Sequence, residues 1–305
     1  MALTLDVLIF GNCDDGHSAS VANELLRLGR SVGIWSASDL NRTELTWVPG
    51  EGLSMVVDEA TTNIDRATSV WWRRPGIPTV SGLSTEEAQL VYDEVADILP
   101  GLAVSETGRC VDDPWVIDRA ANKLLQLSTA KELGITIPTT VVTNSRGSKN
   151  VWPKGHQIIA KALSSGVGLA PFAAQITPQD WDFLESCPTQ LQAQIDAASD
   201  LRVVTIGSQV VAWKRDRSDR EPLDWRMSDP TGTEFILLDG DPTEGLANKM
   251  SRSLNLTFSV QDWLLTKDPV FLEVNPQGQW LFLDLAAEVI PPLLAKLLLG
   301  ELDGE

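Results

Sequence analysis

The sequence predicts an α/β fold, and three observations carry that prediction. Residues 5–10, LDVLIF, apolar but for Asp6, read as a buried parallel strand. Residues 18–29, SASVANELLRLG, carry an apolar stripe through Ala19, Ala22, Leu25 and Leu26 and stop at Gly29, as an amphipathic helix does. Residues 31–35, SVGIW, then return to strand character, which completes a βαβ unit and implies an open α/β domain.

The segment GNCDDGH at 11–17 joins the first strand to its helix. Its two glycines lack the G-x-G-x-x-G spacing, so no dinucleotide site is expected. SVWWRRP at 69–75 reads as a strand running into a turn. Residues 84–99 read as a helix opened by a capping box, Ser84 with Glu87 three residues later. LAVSE at 102–106 reads as a further strand, and the polar CVDDPW at 110–115 as the first boundary.

A second unit begins with one helix over 118–134, ended by Gly134, with a stripe through Ala121, Leu124, Leu125 and Ala130 and with Lys123 off that stripe. Strands are expected at 137–144, 157–163 and 189–195, a small-residue loop at 164–171 and a short helix at 177–186 capped by Thr177 with Pro178 at its first position. The last third reads as a hairpin over 201–213 turning at Gly207-Ser208, a charged segment at 214–226 and a helix around 243–254. A hairpin over 256–275 and a helix at 287–299 close the chain. The expected division is 1–115, 116–195 and 196–305.

Composition narrows the function. The chain has 305 residues, long enough for two or three cores. It carries 42 acidic against 24 basic residues, a net charge of −18, which argues against nucleic-acid binding and against adhesion to anionic membranes. The three cysteines are far apart and show neither disulfide nor zinc spacing, so reduced thiols in a cytoplasmic protein are expected. With only two histidines, a His-rich metal site or a Ser-His-Asp triad has little support. No signal peptide is read, and the apolar run near the C-terminus is too short to span a bilayer.

The chemistry gathers near VFLEVNPQGQW at 270–280. Glu273 and Asn275 are two apart in a strand and so share a face. A turn at 267–269 sets residues 262 and 274 roughly opposite, which lets Asp262 converge with that pair. Two carboxylates and an amide oxygen suit Mg²⁺, whose remaining ligands come from water and phosphates. Lys161 closes the buried run QIIAK; it is costly there unless it meets an anion, or snorkels to solvent. Lys123 lies one helix earlier, and Arg202 and Arg226 offer forked donors for phosphoryl oxygens.

In this order the residues resemble the ATP-grasp superfamily, and more closely its microviridin-type peptide-maturing ligases, the graspetide synthetases. The resemblance is carried by WWRRP at 71–75, NK at 122–123, LGITIPTTVVTN at 133–144 and IIAK at 158–161. It continues with LQAQIDAASDLRVVTIG at 191–207, DWR at 224–226 and FLEVNPQGQW at 271–280, and so covers nearly the whole chain. It implies an ATP-grasp fold with an N-terminal open α/β domain, a central α+β subdomain and a C-terminal α+β subdomain. ATP would lie between the last two, with Lys123 and Lys161 on phosphates or adenine and the strand around Gln192, Gln194 and Ile195 receiving adenine. Either Asp196 or Asp200 would lie near the ribose.

By the same resemblance Asp262, Glu273 and Asn275 would hold Mg²⁺, and Arg202 and Arg226 would stabilise the transferring phosphoryl group. The implied partner is a ribosomal precursor peptide whose Asp/Glu carboxylates are phosphorylated and closed into ester or amide rings by Ser/Thr or Lys; the implied assembly is a homodimer. Arg73 and Arg74 could grip acidic groups of that peptide or form a structural ion pair with the acidic N-terminal domain. Lys214 and Arg215, with Arg217 and Arg220, could dock its leader or form a solvated loop. Two other readings stay open: a RimK-like ligase adding an amino acid in trans, and an inactive nucleotide-binding regulatory protein.

Overall fold

The structure is a computed structural model that describes residues 3–57, 59–105, 107–145, 147, 157–161, 163, 173–176, 185–218, 225–229 and 231–302. The expected loop at 164–171 and all but the last two residues of the expected helix at 177–186 lie outside the described residues, as do Arg220 and the Asp of the DWR motif.

The chain opens with β1 (Leu3–Thr4), β2 (Val7–Phe10), α1 (Gly16–Arg27), β3 (Val32–Trp35), β4 (Thr43–Val48), β5 (Gly52–Val57), β6 (Ala60–Ile64), β7 (Ser69–Trp72), α2 (Thr85–Val104) and β8 (Cys110–Val111). Strands β3-β2-β7-β8 form a parallel sheet, as the βαβ pattern requires. A second sheet, β1-β6-β5-β4, takes three of its strands from 43–64, a stretch for which the sequence reading offered no elements. Residues 102–104 of the strand expected at 102–106 are instead the end of α2, which runs through Pro100. Val95, Leu99, Leu102 and Ala103 recur at helical spacing and are all buried, so packing outweighs the proline.

Next come α3 (Pro114–Ala120), α4 (Lys123–Glu132), β9 (Thr140–Thr143), β10 (Ile158–Lys161), β11 (Ala173–Gln175) and β12 (Thr189–Ala193), the strands pairing antiparallel in the order β11-β10-β12-β9. The single helix expected over 118–134 is therefore two. Asn122 breaks it, with extended backbone and a side chain that accepts from the N–H groups of Leu124 and Leu125. Restarting there changes the buried face. Leu124 is exposed, and α4 buries Gln126, Thr129 and Ala130.

The last part is a five-stranded antiparallel sheet, β15-β14-β13-β16-β17, made by β13 (Ser199–Ile206), β14 (Gln209–Asp216), β15 (Ile236–Leu237), β16 (Phe258–Leu265) and β17 (Pro269–Asn275), with α5 (Leu246–Ser253) and α6 (Ala286–Leu298). One core joins one face of this sheet to the opening unit: Val7, Ile9, Val21 and Leu25 pack with Val204, Val260, Trp280, Ile290 and Leu294. Four of the eleven tryptophans, Trp71, Trp213, Trp263 and Trp280, are among the largest fully buried side chains. Trp213 satisfies its indole N–H on the Asp284 carbonyl (2.7 Å) and Trp263 on Gln261 Oε1 (3.0 Å).

Candidate active site

The site is built across three adjacent strands. On β13 and β16, Arg202 stands opposite Asp262. On β16 and β17, Asp262 stands opposite Glu273, whereas Trp263 stands opposite Phe271. Leu272 is therefore the extra residue of a β-bulge. The sequence reading set 262 against 274. The structure pairs 262 with 273 instead, and the bulge puts the two carboxylates directly across from one another on one face. Without it, Asp262 would face Leu272.

The row sets two adjacent carboxylates between cations. Arg202 Nη1 donates to Asp262 Oδ1 at 2.6 Å, Arg226 Nη2 lies 3.9 Å from Asp262 Oδ2, and Lys123 Nζ lies 3.1 Å from Glu273 Oε2. Burial works to raise the Asp262 pKa, but Arg202 and Arg226 outweigh it and hold the carboxyl below its ordinary 3.8. The first turn of α4 supplies Lys123, so the restart at Asn122 aims that lysine at the sheet.

Beyond Asn275 the chain turns, and the opening unit grips the turn. Asn275 Oδ1 accepts from the Gln277 N–H at 3.1 Å. The carbonyl of Gln277 accepts from Arg73 and from Arg74 (2.8 Å), that of Gly278 from Arg73 (3.5 Å), and that of Gln279 from Arg202 (2.8 Å). Arg73 is buried and also pairs with Asp15 at 3.0 Å. His17 Nε2 accepts from the N–H groups of Trp280 (3.0 Å) and Leu281 (3.3 Å), which fixes a neutral ring whose Nδ1–H faces Asp15 at 2.9 Å. Burial lowers the His17 pKa, the Asp15 bond opposing it. Of the two readings for Arg73, the structural pair is therefore the one present. Arg74 is exposed at the rim.

Above this row lies a cleft lined by α4, β10, β12, β13, β16 and β17. It brings together Lys123, Lys161, Gln192, Gln194, Ile195, Asp200, Arg226, Asp262, Glu273 and Asn275, nearly all the nucleotide and metal residues expected from the sequence. Gln192 turns its amide onto Thr140 Oγ1 (2.9 Å), and the Gln194 N–H donates to the Gln157 carbonyl (2.8 Å). Asp196 is exposed and lies outside the lining.

Asp200 pairs with Arg215 (3.2 Å) and Arg217 (3.7 Å), yet burial keeps its pKa raised against both. Arg215, expected at the surface, is 1 % exposed and also reaches Glu234 (2.9 Å) and Ser228 (3.1 Å). It is not brought to where a peptide could touch it. Lys214 pairs with Asp216 at 3.0 Å, away from the cleft lining. Among the described residues no three His, Cys, Asp or Glu side chains gather as a metal site. The oxygen set at 262, 273 and 275 suits a cation that arrives with phosphates.

Three contributors were missed. Trp225 stacks under the Arg226 guanidinium (4.8 Å to the ring) and packs on Phe235 (5.0 Å) and Phe282 (5.7 Å). It sits inside the DWR motif, which singled out only its arginine. Arg217 lines the cleft beside Asp200. Gln126, inside α4, hydrogen-bonds the backbone of Val274. No sequence signal marks it beyond a polar residue on a helix that must bury one face.

No family model matches this chain, and no curated protein does. Solved structures do. The macrocyclase MdnC bound with precursor peptide MdnA, from Microcystis aeruginosa, superposes with a TM-score of 0.84 at 21% identity over 98% of this chain and 100% of that one. The RiPP-associated ATP-grasp ligase of Chryseobacterium gregarium, in complex with ADP and a leader and core peptide, gives 0.87 at 21% identity over 99% and 97%. A RimK domain ATP-grasp protein of Sphaerobacter thermophilus gives 0.58 at 14% identity over 97% and 98%. The ATP-grasp fold expected from the sequence is thereby shown for this chain.

Proposed function

We propose that the protein is an ADP-forming ligase that phosphorylates Asp or Glu side chains of a ribosomal precursor peptide and closes them into intramolecular ester or amide rings. The observation that carries this reading is the row Arg202–Asp262–Glu273–Lys123 on the floor of a cleft in an ATP-grasp fold. In the proposed division, 1–115 is the N-terminal domain, and ATP lies between 116–195 and 196–305. Lys161 and Lys123 meet phosphates, and the strand carrying Gln192, Gln194 and Ile195 faces adenine.

Asp262, Glu273 and Asn275 are all oxygen donors and fit Mg²⁺, which, when bound, neutralises developing charge on the phosphates. A peptide carboxylate oxygen attacks the γ-phosphorus and ADP leaves. A Ser/Thr hydroxyl or Lys amine of the same peptide then attacks the acyl carbon, phosphate leaves, and each ring costs the peptide one water. The chain's own contribution is positioning and charge: Arg226, braced on Trp225, presents its guanidinium to the transferring phosphoryl, while Arg202, buried on Asp262 and the Gln279 carbonyl, adds positive charge from behind the cleft lining. Arg74 and Lys214 remain candidates for peptide contact. Arg215 serves Asp200.

The similarity to peptide macrocyclases exceeds that to the RimK domain protein, which favours cyclisation over addition in trans. We further propose a cytoplasmic homodimer. All three cysteines are free, and among the described residues no helix is long and apolar enough to cross a membrane. The test is ADP release with MgATP and an acidic peptide encoded beside the gene, with hydroxylamine added to trap an acyl phosphate. Peptide-dependent ADP and a trapped hydroxamate, both lowered about 100-fold or more in Glu273→Gln, are expected. ADP formed only when free amino acids are added would favour the trans-ligase, and no nucleotide turnover or binding would end the reading.

A further inference from the structure

Strand β17 is the edge of its sheet, so one row of its backbone groups has no neighbouring strand. Among the described residues, two contacts cover that edge. The Phe271 N–H donates to the Thr136 carbonyl at 2.9 Å. Three residues on, the Val274 N–H donates to Gln126 Oε1 at 2.9 Å, and Gln126 Nε2 donates back to the Val274 carbonyl at 2.8 Å. The remaining amide hydrogen goes to the Ala120 carbonyl, at the end of α3, at 2.7 Å. Gln126 is 1 % exposed, and both its donors and its acceptor are used.

A carboxamide carries a donor and an acceptor at the spacing of a peptide group, so this side chain imitates one residue of a missing strand. Val274 lies between Glu273 and Asn275, and Gln126 lies one helical turn after Lys123, whose Nζ meets Glu273. Helix α4 therefore holds the ligand strand at two levels, side chain to side chain and side chain to backbone. An apolar residue at 126 would leave three buried backbone groups without a partner, and a carboxylate would oppose two carbonyl oxygens.

We propose that Gln126 is a positioning residue for the magnesium-nucleotide site, fixing Glu273 and Asn275 at a set distance from Lys123. This rests on the function proposed above. Mutating residues that orient metal ligands costs about 10–100-fold in metal affinity or activity.

The experiment compares wild type, Gln126→Met and a control, Thr205→Val. Thr205 is buried in a hydroxyl cluster with Ser251 and Ser259, outside the cleft lining. Hydrogen exchange of the 271–280 segment is measured without metal, and the Mg²⁺ half-saturation of ATP binding and turnover is measured in all three. The expected result is faster exchange at Val274 and Asn275 and a half-saturation raised about 10-fold in Gln126→Met, with neither change in Thr205→Val. Wild-type half-saturation in a folded Gln126→Met overturns the proposal while leaving the function intact. A wild type that binds no MgATP overturns both. Should Gln126→Met not fold, Gln126→Asn, an amide one methylene shorter, carries the same comparison with the same two outcomes.

Discussion

Replacing Gly278 by alanine should damage the site through a collision that can be located atom by atom. A Cβ at 278 would lie 2.3 Å from Val260 Cβ, 2.7 Å from its Cγ2 and 3.1 Å from its Cγ1. The first contact is about 1.1 Å short of the 3.4 Å where ordinary contact begins. Val260 is wholly buried in the core shared with the opening unit and cannot retreat, so the turn must move. A displacement of about 1 Å would stretch the 2.8 Å bond from Arg202 to the Gln279 carbonyl past hydrogen-bond range and loosen the arginine that holds Asp262.

Overpacking of this kind costs about 1–3 kcal/mol, about 2–5 °C of melting temperature for a chain of this size. Misplacement by about 1 Å lowers kcat/KM about 100-fold. Thermal unfolding and steady-state kinetics read the two effects. The partner substitution sharpens the test. Val260→Ala keeps the offending Cβ and should relieve little, whereas Val260→Gly removes it and should show a coupling with Gly278→Ala of about 1 kcal/mol or more. Wild-type stability and kinetics in Gly278→Ala, or strict additivity with Val260→Gly, would refute the reasoning.

Arg215→Met should strand Asp200 with, among the described residues, only the 3.7 Å contact to Arg217, costing about 2–4 kcal/mol by urea unfolding, and adding Asp200→Asn should recover part of that loss. His17 is held neutral when folded, its pKa below the ordinary 6.5, whereas the unfolded chain takes up a proton there. Its contribution is complete above that pH and is lost as pH falls through and below about 6.5. The melting temperature of wild type should therefore drop relative to His17→Gln between pH 7 and pH 5; parallel profiles would contradict the assignment. Lys123→Met should leave Glu273 without its 3.1 Å partner and raise the ATP KM about 10-fold or more, read by ADP release; an unchanged KM would remove Lys123 from the nucleotide site.

What was legible follows from how local each signal is. β2, α1 and β3 could be read because a continuous apolar run and a helical stripe are properties of a few neighbouring residues. The convergence of Asp262, Glu273 and Asn275 was legible to within one register step: the hairpin closes tighter than read, pairing Leu265 with Pro269, which alone would set 262 against 272, and the extra residue Leu272, which nothing in the local pattern marks, restores one of the two steps. The break between α3 and α4 was signalled by Asn122, a strong N-cap inside an apolar run. Arg215 was misplaced because a charge-rich segment reads as solvated. Yet counting back from the Gly207-Ser208 turn pairs Arg215 with Asp200, and strand alternation puts it on the opposite face from Lys214. The grip of Arg73 and His17 on the turn after Asn275 was beyond reach. It joins residues more than two hundred and sixty positions apart in the case of His17, and only the shared core brings them together.

The central claim is that ATP is spent on closing rings within a peptide. Intact-mass spectrometry of the neighbouring precursor peptide, after incubation with the protein, ATP and Mg²⁺, tests it most directly. The account predicts loss of whole waters from the peptide, absent without ATP and absent with Glu273→Ala. A peptide of unchanged mass, in a reaction where the protein is folded and MgATP is bound, would contradict it.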